Sequence, residues 1–390
     1  MGFMALIGFA YSKTGYGNPA AVFKVLLFTI IPVFIIGPIA GVYVDRWDRR
    51  RTMYACDLIR TVLVLLIPLF LFYVKNLSLA YILVFLVFCV ARFFLPAKLS
   101  ILPELVESKD LLIANSLVNV TGMIAFIMGS GIGGVLVEHL GAERGFYLDA
   151  LTFLFSAVLI FFITSRPSSG VGLIRIGAEV VEVIRKSVIK EMKEGLVYLF
   201  KKREIRLSAS VLFVLASALG IVSVVSIVFI QNTLHSATKD LGLLIMFLGA
   251  GLFIGTLAYG RFGGALPHYK TIAFSLSLSG LTLIIFTLSV YRYPEFSLAA
   301  GLAFLFGFFV SPLMTVINTI VHISSENEMR GKVFSSLEVV MHLGFLIFMY
   351  ISSILAAHYS HVKILVVTGI LFCLLGVLNL FWQRKLTWLG

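Results

Sequence analysis

Residues 37–52, GPIAGVYVDRWDRRRT, decide how the rest of the chain is read. An apolar run with one proline stops abruptly at Asp45-Arg46-Trp47-Asp48-Arg49-Arg50-Arg51, where only Trp47 is uncharged. Chains show such an edge where they leave hydrocarbon for water. Cations alone would suffice to fix which side of a membrane the loop faces. The two acids among them need a further reason.

Working outward, 60% of the 390 residues are hydrophobic and only 13% charged, against about 45–50% and about 25% in soluble domains. Mean hydropathy is +1.04. So few charges cannot cover a soluble fold, and the chain must use lipid as solvent. The net charge of +12 would suit nucleic acid, but the cations fall in short clusters between long apolar runs. That is the pattern of basic loops at a cytoplasmic membrane face. Cys56, Cys89 and Cys373 lie within apolar stretches, and their odd number reads as buried free thiols, without a disulfide framework or metal site. Met1 to Tyr11 lacks the charge and cleavage site of a signal peptide.

A transmembrane helix needs about 20 mostly apolar residues. Eleven stretches qualify: 21–44, 53–74, 77–96, 111–137, 145–164, 207–231, 240–262, 270–291, 297–320, 334–357 and 362–382. They are long, continuous and not alternating, so helices are expected rather than strands. Met1 to Tyr11 is apolar but too short to span, and reads as an interfacial segment or the end of an incomplete first helix.

If 45–52 is cytoplasmic, so are 97–110, 165–206, 262–270, 321–333 and the tail from 383. These segments and their helix ends hold 22 of the 31 basic residues; seven lie opposite, and Arg60 and Arg92 lie inside helices. The long polar stretch 165–206 opens with a turn at Ser165 to Gly170. Val181, Ile184, Val188, Met192 and Leu196 then recur at helical spacing beside Arg185, Lys186, Lys190 and Lys193, as in a basic amphipathic helix on the inner leaflet. It divides the chain into 1–164, a linker 165–206, and 207–390. The halves echo each other: Gly41 to Arg46 has a counterpart in Gly255 to Arg261, and Glu104 to Asp110 in Glu326 to Lys332. Two repeats joined by a linker are the logic of a secondary transporter.

Gly41-x-x-x-Asp45-Arg46-x-Asp48-Arg49-Arg50 resembles the loop between helices 2 and 3 of the major facilitator superfamily, whose usual pattern is G-x-x-x-D-R-x-G-R-R/K; Asp48 stands where glycine is usual. Arg92 to Lys98, Ile101 to Leu105, Ala114-Asn115, Phe146 to Phe153 and Arg330 to Ser335 resemble a branch holding macrolide-efflux and siderophore-export permeases, with lysophospholipid transporters as neighbours. The resemblance implies an all-α integral membrane protein of two pseudo-symmetric six-helix bundles, with eleven full spans plus a stub of helix 1. It also makes Asp45, with Arg46, Asp48, Arg49 and Arg50, a conformational latch, against the plainer reading of a topological anchor. An exposed ion pair contributes only about 0–1 kcal/mol, enough to bias two nearly balanced states.

Gly37 and Gly41 form a small-xxx-small pair for close helix approach. Ionisable residues inside spans each cost about 2.5–3.5 kcal/mol at a helix centre, which marks Asp149, Glu338, Arg92 and His342, in that order, as proton-coupling candidates. Asp57 and Arg60, three apart on one face, either neutralise each other or Arg60 snorkels to the interface. Gly129-Ser130-Gly131-Ile132-Gly133-Gly134 matches a dinucleotide fingerprint, but no strand precedes it. It resembles instead the antiporter motif of helix 5, with Gly129, Gly133 and Gly134 as packing positions. His358 and His361 lack partners for a metal site.

The expectation is therefore a monomeric transporter in the plasma membrane, linker and C-terminus cytoplasmic, not an enzyme and without cofactors. Its cargo would be an amphipathic or drug-like molecule, exported in exchange for protons. Lysophospholipid movement and a non-transporting scaffold remain as alternatives.

Overall fold

The computed structural model describes residues 1–14, 17–44, 47–74, 76–163, 194, 197–198, 201–263, 267–325 and 330–383. The described elements are helices: α1 (Gly2–Thr14), α2 (Pro19–Val44), α3 (Arg49–Pro68), α4 (Leu77–Ser100), α5 (Leu111–Leu140), α6 (Ala142–Phe161), α7 (Arg203–Leu234), α8 (Lys239–Phe262), α9 (His268–Arg292), α10 (Phe296–Ser324), α11 (Arg330–His358) and α12 (His361–Gln383). Eleven of them are long and apolar enough to cross a bilayer, while Gly2–Tyr11 is a shorter apolar stretch. The protein is an all-α, multi-pass membrane protein. The basic amphipathic helix expected over 181–196 falls almost wholly outside the described residues, as do Asp45 and Arg46.

Local chemistry explains several helix starts. Asn18 accepts from the Ala20 and Ala21 amides at 3.0 and 3.2 Å at the start of α2. Asn76 accepts from the Leu79 amide at 3.2 Å at the start of α4. Both satisfy donors that the first helical turn leaves orphaned. Pro68 lies at the end of α3, where the chain widens into a π turn over Leu69–Tyr73. Proline removes one ladder hydrogen bond, and π turns occur where the ladder is interrupted.

The chain divides into two compact units. Unit 1 comprises Met1–Phe9, Lys24–Ala125 and His139–Glu191; unit 2 comprises Ala10–Phe23, Phe126–Glu138 and Met192–Gly390. In unit 1, Val44, Met53, Ala97, Ile101 and Ile160 form a buried cluster where α2 ends and α3 begins, with Tyr54, Phe93 and Phe94 packed on it. In unit 2, a larger cluster joins Ile205, Leu212 and Leu215 of α7 to Leu276 of α9, Leu313 and Ile317 of α10 and Leu337 of α11. The boundary between units does not fall only at the linker. The C-terminal half of α5 and the α1–α2 junction group with unit 2, because their contacts are with α7 and α8.

Candidate functional site

In unit 1, α3 carries Asp57 and Arg60 on one face, near mid-span. Asp57 is 1% exposed and Arg60 8%. The Arg60 guanidinium donates to Asp57 Oδ1, and Ser156 of α6 donates to Asp57 Oδ2 at 2.6 Å. The guanidinium carbon lies 4.6 Å from the ring centres of both Phe94 of α4 and Phe153 of α6. A cation between two aromatic faces is attracted to both. Arg60 therefore does not snorkel: its charge is answered inside the bundle by one carboxylate and two rings.

Beside this pair lies a cavity of about 130 Å³, walled by Arg60, Asp149 and apolar side chains including Val64, Phe88, Phe146 and Phe153. Drug-sized pockets measure about 300–1,000 Å³, whereas a water occupies about 30 Å³ of liquid. This cavity has the size for a few waters, not for an amphipathic cargo. Asp149, on α6, has its side chain 15% exposed, and the Met1 amino group stands 3.6 Å from its Oδ1. A Cβ on Gly2 would meet Asp149 Oδ2 at 2.5 Å, so a larger residue there would push the carboxylate aside.

The other ionisable candidates are not at this cavity. Ala91 and Phe88 of α4 line it, but Arg92, half-buried, does not. Glu338 and His342 belong to unit 2, on α11. Glu338 is exposed. His342 Nδ1 lies 2.8 Å from the Glu338 backbone carbonyl, a bond to its own helix rather than to the carboxylate.

At the start of α3 in unit 1, Asp48 is the N-cap: its side chain accepts from the Arg51 amide at 2.8 Å. This supplies a reason for an acid inside a basic cluster. Arg49 pairs with Glu104, and Arg50 donates to the Phe161 carbonyl at the end of α6 while lying 5.5 Å from the Phe161 ring. Trp47 stacks on Phe93 at 5.9 Å. Asp48, Arg49 and Arg50 are thus all engaged within their own unit.

Unit 2 holds a site that the sequence reading missed. Glu138, near the end of α5, accepts from three successive backbone amides: Ala237 at 3.3 Å, Thr238 at 2.6 Å and Lys239 at 3.1 Å. The Thr238 hydroxyl bonds Glu138 Oε2 at 3.1 Å and the Gly134 carbonyl at 2.9 Å. One turn earlier, α5 and α8 touch backbone to backbone. A Cβ on Gly134 would lie 2.8 Å from Gly242 Cα, and a Cβ on Gly242 2.8 Å from Gly134 Cα. Around a Cβ built at Gly37 or Gly129 the space is open, so close packing belongs to Gly134 and its unforeseen partner Gly242. The α7–α8 turn is held further by Gln231, which donates to the Ala237 carbonyl at 2.8 Å, and by the Gly17 amide, which donates to Asn232 Oδ1 at 2.9 Å. In the sequence Glu138 is one carboxylate at the end of an apolar run; its partners, about a hundred residues on, leave no local signal.

Comparison with known proteins follows this geometry. The Major Facilitator Superfamily model matches residues 1–235 and 207–386. The uncharacterized MFS-type transporter YfiS of Bacillus subtilis (strain 168) is 22% identical over 396 residues, covering 95% of this chain and 86% of that protein. Multidrug efflux pump Tap of Mycolicibacterium fortuitum is 25% identical over 313 residues, covering 78% and 72%. Among solved structures, a POT family transporter in complex with 5-aminolevulinic acid matches with TM-score 0.73 over 99% of this chain and 93% of that one, at 12% identity. That last likeness shows the fold alone.

Proposed function

Because the chain belongs to the major facilitator superfamily, we propose that it is a secondary transporter working by alternating access, which exports amphipathic, drug-like molecules in exchange for protons. It is a transporter and not an enzyme. Similarity to a multidrug efflux pump favours outward movement of such cargo. The observation that carries proton coupling is the small cavity in unit 1, where Asp149 faces the same space as Arg60.

Arg60 is held in place by Asp57 and two aromatic rings, so it is a fixed positive charge. Asp149 shares the cavity and is not locked into an ion pair with Arg60. Its carboxylate can take a proton from water in the cavity and give it back. A charge change at Asp149 alters the electrostatics of unit 1 without displacing cargo from the same volume. Glu338, exposed on α11, is a second proton acceptor in unit 2.

In this reading the basic loops, the linker 165–206 and the C-terminus face the cytoplasm of the plasma membrane, and a monomer is the working unit. The two halves, 1–164 and 207–390, are the moving bodies. Since Asp48, Arg49 and Arg50 have partners inside unit 1, the inner latch narrows to Asp45 and Arg46. The test is uptake into inverted membrane vesicles across macrolides, siderophores and lysolipids, with and without a proton gradient. Drug movement that collapses with the gradient supports the proposal. Lysolipid movement indifferent to the gradient contradicts it.

A further inference from the structure

The clasp between α5 and α8 has a property that plain packing does not require. Thr238 is the N-cap residue of α8, yet its side chain makes no capping bond to its own helix. Its hydroxyl is turned instead to Gly134 and Glu138. Within its own chain, the Ser236 hydroxyl accepts from the Asp240 amide at 3.0 Å. The three amides just before it, of Ala237, Thr238 and Lys239, are served from another helix, by the Glu138 carboxylate.

From this we infer that Glu138 is a removable cap, and that withdrawing it is the step that lets the end of α5 part from α8 in the transport cycle. The carboxylate favours the closed clasp through charge-assisted bonds to orphaned amides, where the helix dipole also attracts an anion. When α5 withdraws, those amides are exposed. Water then takes them up, so opening exchanges charge-assisted bonds for solvent ones and stays reversible. Glycine at 134 and 242 serves the same cycle: two bare backbones can separate and return without interlocked side chains. Gln231 and Asn232 keep the α7–α8 turn in shape while this happens, with His235 in the left-handed region at φ 54°. Glu138 is a positioning residue, since it acts through helix contact and not on the cargo.

This inference rests on the alternating-access reading, but its readout needs neither cargo nor protons. Val137 is 3% exposed, three residues from Gly134 on the same side of α5. In the full-length protein, Val137→Cys is labelled with a membrane-impermeant maleimide, and the parent chain with its native cysteines runs in parallel. Adding Glu138→Ala is expected to raise the labelling rate about tenfold, the equivalent of one charge-assisted hydrogen bond. Glu138→Gln, which keeps an acceptor oxygen, raises it less. Thr238→Val, which removes the hydroxyl bonded to Gly134 and Glu138, raises it as well; Thr238→Ser does not. Unchanged labelling in Glu138→Ala overturns the inference. So does an equal rise at Cys56, which is 6% exposed in unit 1 and would report general loosening. Loss of proton-dependent export with the labelling pattern intact would remove the transport proposal and leave the clasp standing.

Discussion

Two carboxylates cap helices in this protein, and they do so in opposite ways. Asp48 caps α3 from the residue just before it, reaching the Arg51 amide at 2.8 Å. Glu138 caps α8 from a different helix, about a hundred residues away in sequence. The first bond joins neighbours in one chain segment, so moving one helix against another leaves it intact and it fixes a loop. The second can be broken by moving one helix from another, so it can serve a cycle. Both use the same physics, an anion among orphaned amides at a positive helix end. What differs is whether cap and helix belong to one rigid piece.

Substitutions can break or sharpen this contrast. The largest effect is expected from Asp57→Asn, where the carboxylate answers a buried guanidinium instead of a helix end. Leaving Arg60 uncompensated should cost about 3–5 kcal/mol, read as a steep fall in melting temperature in detergent. Gly134→Leu comes next: its side chain would meet the backbone of α8, and overpacking of this kind costs about 1–3 kcal/mol. It should also raise maleimide labelling at the clasp, which Asp57→Asn should not do selectively. Asp48→Ala should cost about 1 kcal/mol through the lost cap and leave clasp labelling unchanged. Asp48→Gly, the residue usual in the resembling family pattern, should cost only a few tenths of a kcal/mol. If Asp48→Ala opened the clasp as far as Glu138→Ala does, the distinction between a fixed and a removable cap would fail.

The same contrast marks what the sequence could reveal. Each span is a local signal of about 20 apolar residues, so the eleven stretches emerge at nearly their observed limits: 240–262 was expected and Lys239–Phe262 is seen. Asp57 beside Arg60 was legible for the same reason, being three residues apart on one helix. The two phenylalanines that enclose Arg60 were not, because they come from α4 and α6. Glycines of the 129–134 run could be read as packing positions, but nothing local says that Gly134 meets a helix while Gly129 faces open space. Asp48 carried the local mark of a cap, an aspartate before a helix, hidden by reading it only as a replaced glycine. Glu138 carried no mark at all.

The proposal of proton-coupled export stands on Asp149 and its cavity, and one measurement addresses it most directly. The purified full-length protein and its Asp149→Asn variant would be reconstituted in liposomes holding a pH-sensitive dye, with a transported drug added under an imposed drug gradient. The account predicts drug-dependent proton movement in the native protein and none in Asp149→Asn, whose melting temperature stays within a few degrees. Proton movement of equal rate in both would contradict it.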